Sequence, residues 1–391
     1  MKKTIALYMA VLLPVIAVIF FFFVFPGQVD RAVNRVERPE LPPDVSTEAL
    51  ALHRTLTIVD LHADPLLWRR DFLKRLNHGH VDLPRLEAGN VALQVMGSPT
   101  KSPVGQNYDS NPSDSDAMTP VLIAARQPRA TWSSLLQRSL YHAEKLVAFE
   151  ARAPDRLQIV YAVEDLDGLL AGRRERQKPV GTLLALEGAH PLEGKLENLD
   201  RLFDAGFRMI GMAHFFDNEV AGSMHGEEKY GLTELGFQVV RRAEELGMVV
   251  DLAHSSSAAV ADILDVVTKP VVVSHGGVQA TCDHNRNLSD EQIRRVAANG
   301  GVIGVGYWEG AVCDISTEAI VAAMDHIRDL VGVDTIALGS DFDGGTTTRF
   351  DTGELVILTQ ALMDGRYTST EIRKVMGWNA MRVLRANLPE E

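Results

Sequence analysis

Eight times the chain repeats one theme, a short β-branched apolar run that ends in a polar residue and usually gives way to a helical pattern. The runs cover residues 57–61, 91–96, 182–186, 208–213, 248–253, 270–274, 301–306 and 335–339. Strands that are apolar almost throughout are buried on both faces, as in a parallel sheet covered by helices. Helical patterns fall between several of them. Leu232, Leu235, Val239, Val240 and Leu246 fit one stripe. Ser289 followed by Glu291 and Gln292 marks a helix start, and Asn299-Gly300 its stop. Residues 316–331 have the same character. Eight strands alternating with helices is the count of a (β/α)8 TIM-like barrel, which is the fold expected here. The alternative is an open doubly wound sheet, weakened because no G-x-G-x-x-G turn follows any strand. The 391 residues suffice, since α/β barrels run past about 250 residues as one domain. Residues 98–120 are rich in Ser, Asp, Asn and Pro, follow the second run, and are expected as a lid or a disordered stretch on the active-site face.

The N-terminus adds a second element. Lys2 and Lys3 precede an uncharged apolar run over residues 5–25, which at about 1.5 Å per residue spans roughly 30 Å, the thickness of a bilayer core. The run ends in consecutive phenylalanines and Pro26, without the small-x-small site of a cleavable signal. The sequence therefore predicts a transmembrane signal-anchor over 1–26, a Pro- and charge-rich linker over 27–50, and a catalytic barrel over 51–391. The lysines should stay in the cytoplasm, placing the barrel on the extracytoplasmic (periplasmic) side. A cleaved signal would give the same compartment without the tether. The net charge of -13 and the absence of any Lys/Arg block give no support for nucleic-acid binding. Cys282 and Cys313 are too few for a disulfide framework or a four-cysteine zinc cluster. They could pair in an oxidising compartment, but nothing in the sequence shows it.

In a barrel of this type the active site lies where the strands end. Six of the eight runs end in metal- or proton-handling residues: Asp60-Leu61-His62-Ala63-Asp64, Glu187, His214, Asp251-Leu252-Ala253-His254, Ser274-His275 and Ser340-Asp341-Phe342-Asp343. Singly, each could be a helix cap or a turn residue; together, on one rim, they read as a site. His62, Asp64, Glu187, His254 and His275 offer three imidazoles and two carboxylates without a thiolate, a set suited to zinc. His62 and Asp64 can both reach the barrel axis if the strand end kinks there. Five ligands are too many for one catalytic zinc but suit two ions sharing a carboxylate, with a bridging hydroxide as nucleophile.

The set DLHAD, LEGAH, AHFFDN, DLAHSS, SHGG, HNRN and GSDFDG, in that order, resembles the membrane dipeptidase (renal dipeptidase) family across roughly residues 58–384. The resemblance implies a barrel with two zinc ions that hydrolyses dipeptides. It implies that His62 and Asp64 hold one ion, that His254 and His275 hold the other, and that Glu187 bridges them. His214 then matches the histidine that steadies the oxyanion, Arg286 the arginine that receives the substrate carboxylate, and Asp341 the aspartate that moves the proton. Family members form dimers, so a homodimer is compatible. The segment AHFFDNEVAGSMHG looks like bacterial members, and the N-terminal apolar run departs from the C-terminal lipid anchor of mammalian ones. Two rival readings are a barrel amidohydrolase acting on a cyclic amide or ester, and a non-catalytic envelope-binding barrel. The first is weakened because no lysine follows the relevant strand and Glu187 occupies the bridging place.

Overall fold

The computed structural model describes residues 12–40, 44–174 and 179–390. Lys2, Lys3 and the start of the apolar run lie outside the described residues. Eight parallel strands form the barrel: β1 (Ile58–Ala63), β2 (Val91–Pro99), β3 (Val180–Glu187), β4 (Phe207–Gly211), β5 (Val249–Asp251), β6 (Val272–Gly276), β7 (Val302–Val305) and β8 (Ile336–Leu338). Each pairs with its sequence neighbour, and β8 pairs with β1 to close the ring. Each corresponds to one run predicted from the sequence, with ends shifted by a few residues.

Val59, Leu93, Leu183, Met209, Val249, Val272, Val302 and Ala337, one from each strand, share a single buried cluster. A cluster drawing one side chain from every strand of a closed ring is the ring's own filling, as expected for a packed barrel. Ala380, Val383 and Leu384 of the C-terminal helix Asn379–Asn387 join it, as do Leu166 and Leu169 of the helix Val163–Arg174. The end opposite the strand C-termini is thereby closed, and only the other rim can open to solvent. The outer helices start where the sequence supplies oxygen caps. Thr233, Ser256, Ser289 and Ser316 each accept a backbone N–H from the first turn that follows, each worth about 1 kcal/mol. Gly300, at φ 80°, ends the helix Asp290–Asn299 in the left-handed region that favours glycine.

Two features differ from the sequence reading. A short strand, Leu157–Ile159, pairs with β3 at Val180–Thr182, below the stretch that pairs with β4. Three residues are too few for periodicity to reveal. The expected linker is also not a stalk along its whole length. One helix, Leu12–Val33, runs on from the apolar stretch, and its last turns pack on the barrel. Asp30 and Asn34 are buried. Asp30 pairs with Arg70, which also holds Asp343. Arg35 and Val36 then form a two-residue parallel bridge with Thr347 and Thr348. Proline and charge suggested a linker, but a π-helical turn at Phe20–Val24 carries the helix into Pro26, and the carboxylate of Asp30 has a buried partner. Cys282 and Cys313, left open by the sequence, form a disulfide.

Candidate metal centre and substrate cavity

The rim is shaped by irregular strand ends. Between β1 and β2 the register advances from Asp60↔Gln94 to Ala63↔Met96, so β1 spends one residue more than its partner. The same happens in β6, from Val273↔Ile303 to Gly276↔Val305. Such bulges turn side chains that strict alternation would send to opposite faces. The first supplies the kink that His62 and Asp64 required, and the second carries His275. His254 and Asp341 adopt left-handed φ values of 61° and 56°, a conformation that costs non-glycine residues about 1 kcal/mol or more and is kept where surrounding structure enforces it.

Glu187, at the end of β3, is the centre of the arrangement. Its Oε1 lies 3.4 Å from His62 Nε2, 3.3 Å from His214 Nε2, 3.3 Å from His254 Nε2 and 3.5 Å from His275 Nε2. His62 Nε2 is in turn 3.5 Å from Asp64 Oδ1 and 3.9 Å from Asp341 Oδ1. All seven side chains are buried. The structure thus brings together every metal-ligand candidate, together with His214 and Asp341. Arg286 lines the same cavity and is likewise buried. It donates Nη2 to the carbonyl of His275 at 2.6 Å and lies over the Trp308 ring at 5.5 Å.

The donors fit a metal pair on two grounds. Buried His62 Nε2, Asp64 Oδ1 and Glu187 Oε2 have no hydrogen-bond partner, a costly state for polar atoms unless an ion satisfies them. In addition, His254 Nε2 and His275 Nε2 face each other at 2.9 Å beside a carboxylate, so their lone pairs share one small space. Ligand atoms of His62, Glu187 and His275, of Glu187, His214 and His254, and of His62, Asp64 and Asp341 each fall within 4.8 Å of one another. Glu187 belongs to two of these groupings, as a bridging carboxylate must.

Charge crowding sets the protonation preferences. Burial, reinforced by Asp64 and Glu187, pushes Asp341 well above the usual carboxylate range. Burial and the charge of Glu187 push Asp64 up to about 6. Glu187 goes the other way: burial works against ionisation, but the imidazoles of His214 and His62 hold it well below its ordinary value. The carboxylate most favoured in its charged form is therefore the central one.

The sequence reading missed the residues behind the rim. Ser274 Oγ donates to Asp251 Oδ2 at 2.5 Å and lies 2.9 Å from His275 Nδ1. That relay keeps a proton on Nδ1 and leaves the Nε2 lone pair for a metal. Asp60 Oδ1 accepts the backbone N–H groups of His62 and Ser340. Both aspartates stood inside the quoted motifs, but nothing in a sequence says which way they turn. Tyr108, in the expected lid, bonds Trp308 Nε1 at 3.0 Å and gives its carbonyl to His225 Nδ1 at 2.8 Å. Ser102, Pro103, Gly105, Gln106 and Tyr108 of that segment line the cavity together with Asp64, Glu187 and His254, at a volume of about 430 Å³, a size that suits a small molecule.

A family model for the membrane dipeptidases (peptidase family M19) matches residues 46–389. Dipeptidase aclJ of Aspergillus oryzae (strain ATCC 42149 / RIB 40) is 29% identical over 357 residues, 85% of this chain and 79% of that protein. Among solved structures, the probable dipeptidase PvdM from Pseudomonas aeruginosa superposes with a TM-score of 0.70 at 20% identity, covering 87% of this chain and 98% of that one. A metallopeptidase from Rhodobacter sphaeroides, liganded with a phosphinate mimic of the dipeptide L-Ala-D-Ala, does so with a TM-score of 0.70 at 23% identity, covering 85% and 99%. The fold is shared with both solved structures, and the match to the family spans nearly the whole barrel. The chain accordingly belongs to the membrane dipeptidase family, peptidase family M19, and is a metallo-dipeptidase that hydrolyses peptide bonds.

Proposed function

We propose that the protein hydrolyses free dipeptides with two zinc ions, one held by His62 and Asp64, the other by His254 and His275, with Glu187 shared. The observation that carries this reading is the convergence of four imidazoles on one carboxylate oxygen, all within 3.5 Å and buried. When bound, the ions supply an acidified water and a Lewis acid toward the peptide carbonyl. The rest is the work of side chains. Arg286 receives the terminal carboxylate of the substrate through its planar donors, which restricts substrates to peptides that end there. His214 donates toward the developing oxyanion. Asp341, as the carboxylate, takes the proton from water and delivers it to the leaving amine, so that water and one dipeptide give two amino acids. The ligand in the Rhodobacter sphaeroides neighbour makes dipeptides with a D-residue at the C-terminus natural members of the substrate panel.

The location belongs to the same proposal. The helix Leu12–Val33, with a mean hydropathy of 2.3 and only 6% burial, supports a single-pass anchor within the expected 1–26 segment. The Cys282–Cys313 disulfide favours the oxidising, extracytoplasmic side. The test is metal analysis of the purified protein combined with rates on L,L and L,D dipeptides and on cyclic amides. About two zinc ions per chain and a preference for dipeptides are expected. Glu187→Gln should lower kcat/KM by at least about a thousandfold and loosen both metals. Full activity in that variant would remove the mechanism, and faster turnover of cyclic amides would restore the amidohydrolase reading.

A further inference from the structure

The cavity has a wall that comes from outside the barrel. Val29 and Val33 of the N-terminal helix line it together with Leu67, Trp68, Met118 and Leu122. On that helix Pro26, Val29, Asp30 and Val33 share one face, at spacings of three and four residues; Pro26 and Asp30 are buried and the two valines half-buried. The face is locked in place. Asp30 pairs with Arg70, and Asn34 Nδ2 donates to Asp30 Oδ1 at 2.9 Å. Asn34 Oδ1 accepts Gly345 N at 2.9 Å, which ties the helix end to the loop that carries Asp341. Arg126 covers Phe23 at 4.5 Å, so the helix also rests on the segment around Met118–Ala124.

The wall has a definite place on the rim. Arg286 and Trp308 follow β6 and β7, whereas Gly344 and Gly345 follow β8 and Leu67 and Trp68 follow β1. Placing the carboxylate at Arg286 leaves the β8–β1 sector of the same cavity, where the apolar wall stands, for the other residue of a dipeptide. We propose that the last two turns of the N-terminal helix, through Val29 and Val33, form the subsite for the side chain of the substrate's N-terminal residue, and that this subsite selects bulky apolar side chains. The assignment rests on the dipeptidase reading above, with Arg286 at the carboxylate.

The experiment uses the full-length protein in detergent and compares kcat/KM on Gly-Ala, Leu-Ala and Phe-Ala. The wild type should prefer Leu-Ala and Phe-Ala. In Val33→Ser and Val29→Ser the ratio of Phe-Ala to Gly-Ala should fall about tenfold, the scale on which an apolar pocket discriminates. Val33→Ala, a milder change, should move the ratio in the same direction, and thermal melting identifies any variant that fails to fold. Ala32→Ser, on the exposed face of the same turn, should leave the ratio where it was. A wild type that cleaves these dipeptides without any change of ratio in the valine variants overturns the subsite alone. An equal fall in Ala32→Ser also overturns it, because the effect would then be general. A wild type that cleaves none of the three overturns the dipeptidase reading and the subsite with it.

Discussion

The ligand side chains owe their placement to neighbours that never touch a substrate. His275 is the clearest case. Its Nδ1 is fixed by Ser274, and Ser274 by Asp251, whose other oxygen Oδ1 accepts the backbone N–H of Ser274 at 2.8 Å. Removing the acceptor should free the imidazole to turn and to change tautomer. Asp251→Asn is therefore expected to weaken metal affinity by about ten- to a hundredfold, read as zinc retained after dialysis against a chelator. Restoration of kcat by excess zinc would separate positioning from a direct catalytic part; unchanged affinity would mean that the relay is idle. This is also where sequence reading reached its limit. His62, Asp64, Glu187, His214, His254, His275 and Asp341 were legible because each ends a recognisable apolar run. Asp251 and Asp60 occupy the same motifs, yet they bond backbone N–H groups, and composition does not distinguish a carboxylate that faces a metal from one that faces an amide. Tyr108 was out of reach for another reason: it lies in an irregular segment without period, placed by tertiary contacts alone.

Elements set how firmly Arg286 is held. The loop after β6 carries Cys282 and Arg286, and the short helix Glu309–Val312 after β7 ends at Cys313. The disulfide joins the two across a separation of 31 residues, and Asn287 Nδ2 adds a bond to the carbonyl of Ala311 at 3.1 Å. Closing a loop of that length stabilises a fold by about 3–4 kcal/mol in the chain-entropy account. Replacing both cysteines with serine should lower Tm correspondingly. It should also raise KM more than it lowers zinc content, since Arg286 sits on the clamped loop while the ligands sit on strand ends. Equal KM values in the two forms would show that Asn287 and the packing of Trp308 suffice. The eight strands and the ends of the helices Asp290–Asn299 and Thr317–Val331 were legible in the sequence because periodicity and capping speak for runs of that length. The three-residue strand Leu157–Ile159 lacked any such signal, and the bulges in β1 and β6 emerge only from pairing.

At the scale of the whole molecule, the family match begins at residue 46, but the physical unit begins earlier. Asp30, Asn34 and the bridge of Arg35–Val36 to Thr347–Thr348 all support the loop that bears Asp341 and Asp343. A chain shortened to start at residue 46 leaves Arg70 buried with Asp343 as its remaining carboxylate partner. It should be less stable than one starting at residue 25 by about 2 kcal/mol, as for a lost charged hydrogen bond, measured by thermal melting of the two forms. Identical melting curves would mean that the helix merely rests on the barrel. One consequence follows from the continuity of that helix. From Phe25 to Val33 it rises only about 12 Å, and a π-helical turn at Phe20–Val24 joins it to the apolar run. Were the apolar run seated in a membrane, as proposed above, one helix would join that membrane segment to the cavity wall, and a tilt of the first would be passed on to the second.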